Sequence, residues 1–553
     1  MNLFVKLYQR FVAIWSKKPK RPKETPKPTA PENLNIEMLG SMLSKGYFPK
    51  EALPCFSTEK YSKSIIDNYS NLPELYFKNK YISKCGVHNI ARKGTLRRKL
   101  GIPNPINYFR LSNEITKNWL EISKVVSKSH LSLTTPMTAV GGNRAFERKH
   151  SLNELPELQS KLRSRYKYLL KTDISRFYHS VYTHSIAWTY HSKGSAKGNR
   201  SNSLFGNAID KAFQDSQDGQ TVGIPIGPDA SLVIAESILS RVDEKLKSHN
   251  IDSGLRYIDD YYLGFNTLGE AESALTLMQE TLNEYELALN PLKTEIIKLP
   301  IEFEPIEISK MRAFNFSPLS SSQKTDLIYY FNIAFVAAKN LPSEPILKYA
   351  VSRTHNLDIS ESNYPIFENF ILQCAISDSS TLPFITEQLI KYKRKGYKLD
   401  LDNISYVLKE LAMVESSLGH GNEVAHCLWL HLVLQLPLSE DVFKNAILMR
   451  DSFVAILLHD CFKKNLCNYN CDFSHYESLM NKDELQGDMW LFVYESLARK
   501  WFKPTGKQNP IKQNECFNHM LKSNVFFYDE SKSNTVMTGD NNPEDVTLGG
   551  FSG

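Results

Sequence analysis

Hydrophobic positions along this chain follow two different rhythms, and the change comes near Pro300. Before it, apolar runs of strand length alternate with stripes at helical spacing. After it, only the helical spacing recurs. In the first part, residues 36–46 read as a helix closed by Gly46-Tyr47-Phe48-Pro49. Asn113–Val126 reads as a helix with Ile115, Trp119, Leu120 and Ile122 turned inward, and Thr183–His191 as another. Tyr168-Leu169-Leu170 leads as a strand into Asp173. The loop Gly223-Ile224-Pro225-Ile226-Gly227 opens a helix: Pro228 suits its first turn, and Leu232, Ala235, Leu239, Val242 and Leu246 form its apolar stripe. Leu268–Leu287 is a further helix, followed by a turn through Asn290-Pro291 into a strand with Lys293 at its start. Beyond Pro300, Lys324–Lys339, Ile366–Ile376, Ile385–Tyr392, Ile404–Val414, Asn422–Leu434, Val442–Leu458 and Leu485–Lys500 all favour helix. That cadence predicts a repeat-like helical bundle, although no sharp sequence period is present.

One stretch breaks the hydrophobic pattern. Arg256-Tyr257-Ile258-Asp259-Asp260-Tyr261-Tyr262-Leu263-Gly264-Phe265 sets two adjacent acids between aromatic and apolar runs. Burying unpaired carboxylates is costly. A hairpin with both acids at its tight turn resolves the conflict. A hard divalent cation such as Mg²⁺ is the natural counter-charge. On this stretch alone, a solvated Asp-Asp turn is the plain alternative.

Composition narrows the picture only modestly. With 42% hydrophobic and 23% charged residues, the 553-residue chain is an ordinary globular protein with room for several domains. A formal charge of +7 is compatible with nucleic acid without proving it. Eight thinly spread cysteines form no disulfide framework, which points to a reducing cytoplasm. His459, Cys461, Cys467, Cys471 and His475 lack zinc-knuckle spacing, so core thiols are the better reading. No apolar run is long enough to span a bilayer. Residues 1–34 read as an amphipathic segment followed by a basic, proline-rich linker, and 536–553 as a flexible tail.

Two basic segments precede the acids. Arg92-Lys93-Gly94-Thr95-Leu96-Arg97-Arg98-Lys99 runs into the rigid turn Gly101-Ile102-Pro103-Asn104-Pro105, and interleaved aromatics favour a nucleic-acid face over a merely solvated one. Gly141–Lys149 brings Arg144 and Arg148 beside two glycines, where they could meet a triphosphate; an exposed hairpin is the alternative. The glycine loop at 223–227 stands at a helix N-terminus, a place suited to a phosphate or a templating base. Asp173 at a strand end can join Asp259 and Asp260 to hold two divalent metals. Lys293 can neutralise developing charge or protonate a leaving group. Nucleotidyl transfer is the chemistry such a set performs.

The order of these pieces resembles the palm of a reverse transcriptase. The likeness covers about residues 36–300 and rests on Asp173-Ile174-x-x-Phe177-Tyr178, Gly223-x-Pro225-x-Gly227, Tyr257-Ile258-Asp259-Asp260 and Leu289-Asn290-x-x-Lys293-Thr294. It implies an α+β fold: a right-hand polymerase domain of fingers and palm over 35–308, then an all-α helical-repeat domain over 309–535. It implies Asp173 and Asp259 as principal metal ligands with the Ile174 backbone, and Asp260 as an accessory. Ile174, Phe177, Tyr178, Arg144, Ile226 and Gly227 would meet the nucleotide, with Tyr178 as the gate against a ribose 2′-hydroxyl. Arg92, Arg97, Arg98 and Arg148 would meet nucleic acid. The cofactor is Mg²⁺ or Mn²⁺ and the substrates are dNTPs. Ile226 departs from the family's usual glutamine, which puts ordinary templated fidelity in doubt.

Gly46–Glu51, the Gly101–Pro105 turn and Gly223–Ser231 further resemble bacterial abortive-infection reverse transcriptases. That likeness implies antiphage defence, a homo-oligomer, and DNA synthesis that is untemplated or primed by a protein hydroxyl, or that uses a non-coding RNA. A conventional retron- or retroelement-type enzyme and a non-catalytic RNA-binding scaffold are the alternatives.

Overall fold

The computed structural model describes residues 35–534, apart from 79, 93–95 and 140. The expected N-terminal segment and linker, the tail from 536, and Lys93-Gly94-Thr95 of the basic run lie outside the described residues.

The first half is built on an antiparallel four-stranded sheet with the order β6-β7-β5-β8. Its strands are β5 (Tyr168–Asp173), β6 (Gly254–Tyr257), β7 (Asp260–Phe265) and β8 (Glu295–Lys298). Aromatic and branched residues suit a pleated buried surface, and β7 is buried along its whole length. The register pairs Tyr168 with Phe265 at one end and Asp173 with Asp260 at the other. Opposed residues on an antiparallel pair share a face, so the pairing itself brings Asp173 beside the acidic hairpin. The helix Asp229–Ser248 lies behind the hairpin and carries the buried Ala235, Leu239, Val242 and Leu246. Leu232 of the expected stripe instead lines a cleft. The helix Leu268–Glu284, opened by a reciprocal Thr267–Glu270 capping box, covers β5 and β7.

Two further hairpins form sheets of their own. β1 (Gly86–Ala91) pairs with β2 (Arg97–Ile102), and β3 (Pro136–Thr138) with β4 (Phe146–Arg148). After β8 the described residues contain helices and turns but no strand. One buried apolar cluster runs through both halves. Trp490 Nε1 donates to the Ile102 carbonyl at 2.8 Å, and Asn104 Nδ2 to the Leu485 carbonyl at 3.1 Å.

Several helices are cut where continuous ones are expected. Asn113–Val126 is two helices, Pro105–Lys117 and Trp119–Val126, because Asn118 leaves helical geometry and donates its side-chain amide to the Glu114 carbonyl at 2.8 Å. The break leaves Leu120 exposed, not inward. Val442–Leu458 is split into Glu440–Ala446 and Ser452–Lys463, since Asp451 caps the second helix through the Phe453 and Val454 N–H groups. Leu485–Lys500 begins its main helix at Trp490, after Gly487-Asp488. No helix among the described residues is long and apolar enough to cross a membrane.

Candidate active site

The acidic hairpin turns on Ile258 and Asp259, with Tyr257 paired to Asp260. Asp260 is therefore the first residue of β7, and not a turn residue as expected from the adjacent acids. Ile258 has φ 54°, a left-handed conformation that is unfavourable for a β-branched residue by about 1–2 kcal/mol. Surrounding bonds hold it there. Its N–H donates to Thr134 Oγ1 at 3.1 Å, and its carbonyl accepts from Arg256 at 2.9 Å.

Arg256 is fully buried and anchors the hairpin to the helix behind it. Its guanidinium meets Glu236 at 3.0 Å and Asp243 at 2.8 Å. Ser132 and Thr134 donate to Glu236 at 2.7 and 2.6 Å, and Tyr261 donates to Asp243 at 3.0 Å. None of these roles follows from the sequence pattern. The available signal was a pair of acids, seven positions apart, on the helix that carries the apolar stripe Ala235, Leu239, Val242 and Leu246.

Asp173 and Asp259 line a cleft of about 760 Å³ together with Ile174, Phe177, Tyr178, Ile226, Gly227 and Lys293. Asp260 lies under them, 4% exposed. Burial, then the charge of Asp173, pushes the Asp259 carboxyl up to about 6. Burial and the neighbouring Asp259 charge push Asp260 up to about 8. Lys293, from the turn Pro291–Lys293, brings its ammonium to 2.7 Å from Asp173 Oδ2 and 4.0 Å from Asp260 Oδ1. Asn290, a side chain given no role on sequence grounds, donates from Nδ2 to Asp173 Oδ1 at 3.0 Å and from its backbone N–H to the Asp173 carbonyl at 2.7 Å.

The structure thus gathers the expected acids, but not as a finished cage for two metals. Among the described residues no three His, Cys, Asp or Glu side chains are arranged to hold an ion. Two cleft-facing carboxylates nevertheless suit Mg²⁺, which keeps waters and substrate phosphates in its shell and needs few protein oxygens.

Ile226 and Gly227 bring the glycine loop into the lining of the same cleft. Gly227 has φ 118°, and a Cβ there would lie 2.8 Å from Pro49 Cγ, so both conformation and space demand glycine. Tyr178 packs at 5.4 Å from Phe177, and its hydroxyl is pushed up by burial and by Asp259.

The expected cationic residues divide. Arg92, Arg97, Arg98, Arg144 and Arg148 all line the cleft, but Arg97, Arg144 and Arg148 are also claimed by neighbours. Burial and the neighbouring Arg92 pull Arg98 down, while Glu51 and Asp259 oppose them. Arg144 is committed elsewhere: it pairs with Asp229 and donates to the Phe48 and Gly227 carbonyls at 2.8 and 3.0 Å. It fastens the glycine loop, which leaves little of it for a triphosphate. Arg148 lies over the Tyr257 ring at 5.0 Å and donates to its hydroxyl, bracing the hairpin from the side. Arg97 lines the cleft too, but its guanidinium donates to Glu423 Oε1 of the C-terminal helices at 3.0 Å. Arg97 and Arg144 are held by buried acids and carbonyls, and Arg148 by a tyrosine ring and hydroxyl.

Residues 91–310 match the family model described as reverse transcriptase (RNA-dependent DNA polymerase). That stretch holds all four sequence motifs and matches as a reverse transcriptase domain. No relative is found among curated protein sequences. Among solved structures, telomerase from Candida albicans in complex with a fragment of telomeric RNA is similar at 12% identity and a TM-score of 0.29. The match covers 70% of this chain and 65% of that one, so this chain spans just under two thirds of the telomerase chain it matches.

Proposed function

We propose that this protein is an RNA-directed DNA polymerase that joins dNTPs at the cleft between the acidic hairpin and the glycine loop. One observation carries the reading: β-sheet register sets Asp173 opposite Asp260, next to Asp259 on the cleft wall. Asp173 and Asp259, with the Ile174 backbone, would hold Mg²⁺ or Mn²⁺. Such ions activate a 3′-hydroxyl and steady the departing pyrophosphate. Lys293 holds a positive charge against Asp173 and Asp260. Tyr178 presents a flat ring where a sugar would lie, and Arg92 and Arg98 supply positive charge to the same cleft for phosphates.

The residues 35–308 then correspond to fingers and palm, and the helices that follow to an appended helical-repeat domain. The motif likeness further supports a bacterial cytoplasmic role in antiphage defence, within a homo-oligomer and with a protein hydroxyl or a non-coding RNA starting synthesis. Ile226 in the place of glutamine favours untemplated or loosely templated synthesis.

The test is incorporation of labelled dNTPs by the purified chain with Mg²⁺ or Mn²⁺. The Asp259→Ala, Asp260→Ala double variant should fold and lose incorporation, because the transition state loses its carboxylates. Equal incorporation by parent and variant would refute the reading. Sequencing the product separates its branches: a copy of one defined RNA favours a retron-type enzyme, and biased or random DNA favours the defence type.

A further inference from the structure

The β1–β2 hairpin belongs to no larger sheet, and an isolated two-stranded ribbon is marginally stable. Its base is tied to the glycine loop, since the Gly101 N–H donates to the Ile226 carbonyl at 2.7 Å. Its outer half is fastened by the helix Gly421–Leu434 and the residues around it. Arg97 grips Glu423 with two nitrogens and Asn89 with a third, Nε to Asn89 Oδ1 at 3.2 Å. Asn89 Nδ2 donates to the Gly419 carbonyl at 3.0 Å. His88 meets Asp451 at 2.7 Å and Asn422 at 3.3 Å. A Cβ on Gly421 would fall 2.0 Å from Asp451 Oδ2, so the helix start approaches as closely as glycine permits.

Arg97 and Arg98 are consecutive in a strand, so their side chains leave on opposite faces. Arg97 goes to Glu423, which is 0% exposed. Arg98 goes to the cleft, within electrostatic range of Asp259 and Tyr178. A buried ion pair on one face therefore fixes the strand whose other face carries a cleft cation.

We propose that Glu423 is a positioning residue for Arg98: by gripping Arg97 it holds β2 in place, and the C-terminal helices thereby set the nucleotide affinity of the cleft. This rests on the polymerase reading given above. The pair acts on ground-state and transition-state nucleotide alike, so its loss appears in KM more than in kcat.

The experiment measures dNTP KM and kcat for the full chain, with thermal melting by circular dichroism as the folding control. Glu423→Ala should raise KM by about tenfold while kcat changes by less than about threefold. Arg97→Lys, which keeps the charge but not the fork, should fall between parent and Glu423→Ala. Gly421→Ala touches neither member of the pair and should shift KM in the same direction. In an Arg98→Ala background, Glu423→Ala should add nothing, a non-additivity that a purely structural role would not produce. If Glu423→Ala does not fold, Arg97→Lys and Gly421→Ala decide. Should the parent polymerise and these folded variants share its KM, or should the two substitutions add fully, the positioning role is overturned while the polymerase reading stands. A parent that incorporates no dNTP overturns both.

Discussion

Two groups of buried carboxylates sit on either side of one short hairpin, and the protein treats them in opposite ways. Behind the hairpin, Glu236 and Asp243 are matched by the Arg256 guanidinium and by hydroxyls from Ser132, Thr134 and Tyr261. At its tip, Asp259 and Asp260 are buried against each other and against Asp173, with Lys293 as the near cation. The first group sets one guanidinium and three hydroxyl donors against two carboxylates. The second sets one ammonium near three carboxylates, and Asp259 and Asp260 are pushed up toward the protonated form. Charge that a fold leaves unsatisfied beside a cleft is where function is expected, and charge that it surrounds with internal donors is architecture. The hairpin's own strained turn joins the two, because Arg256 also holds the Ile258 carbonyl.

The largest effect should come from breaking the matched side. Arg256→Ala leaves Glu236 and Asp243 buried without their cation, so the chain should lose about 3–5 kcal/mol in urea unfolding. The unmatched side should respond with the opposite sign. Asp259 is held near 6, above the ordinary 3.8, so the folded state binds its proton more tightly than the unfolded state. Above that value the ionised side chain works against folding. Asp259→Asn should therefore stabilise the cation-free protein at pH 7.5 by about 1–3 kcal/mol and do nothing below pH about 3.8. A loss of stability at pH 7.5 would mean that the corner is balanced after all.

Cation binding sharpens the same contrast. Asp259 and Asp260 must shed their protons to bind a metal, so apparent Mn²⁺ affinity should weaken as pH falls from 8 toward 6, by up to about tenfold per pH unit for each proton displaced. Calorimetric titration in two buffers of different ionisation enthalpy would read the released protons.

The smallest effect concerns the seam with the C-terminal helices. Burial pulls His88 down, but Asp451 and its hydrogen bond outweigh that and leave His88 raised above 6.5. Its contribution to stability is then fully present below pH about 6.5 and fades as pH rises through the raised value. Melting temperature should drop more between pH 6 and pH 9 in the parent than in His88→Gln.

Much of the catalytic corner was legible because its signals are local. Two acids in an apolar run announce a hairpin, and the apolar run Tyr168-Leu169-Leu170 announces a strand that leads into Asp173. What was not legible is long-range. Arg97 reads as a phosphate-binding arginine until its partner is found 326 residues later. Arg144 reads as a triphosphate ligand until Asp229 and two carbonyls claim it. A sequence displays the charge of a side chain but not which neighbour folding will bring to it. Asn290 was missed for a related reason: its amide matters only because the turn before β8 returns to the end of β5.

Thermal unfolding of the parent and of Asp259→Asn, each with and without Mn²⁺ at pH 7.5, tests most directly whether the hairpin corner is reserved for cations. The account predicts that Mn²⁺ raises the parent's melting temperature and leaves the variant, already the more stable of the two without metal, almost unmoved. Equal shifts in both proteins, or none in the parent, would contradict it.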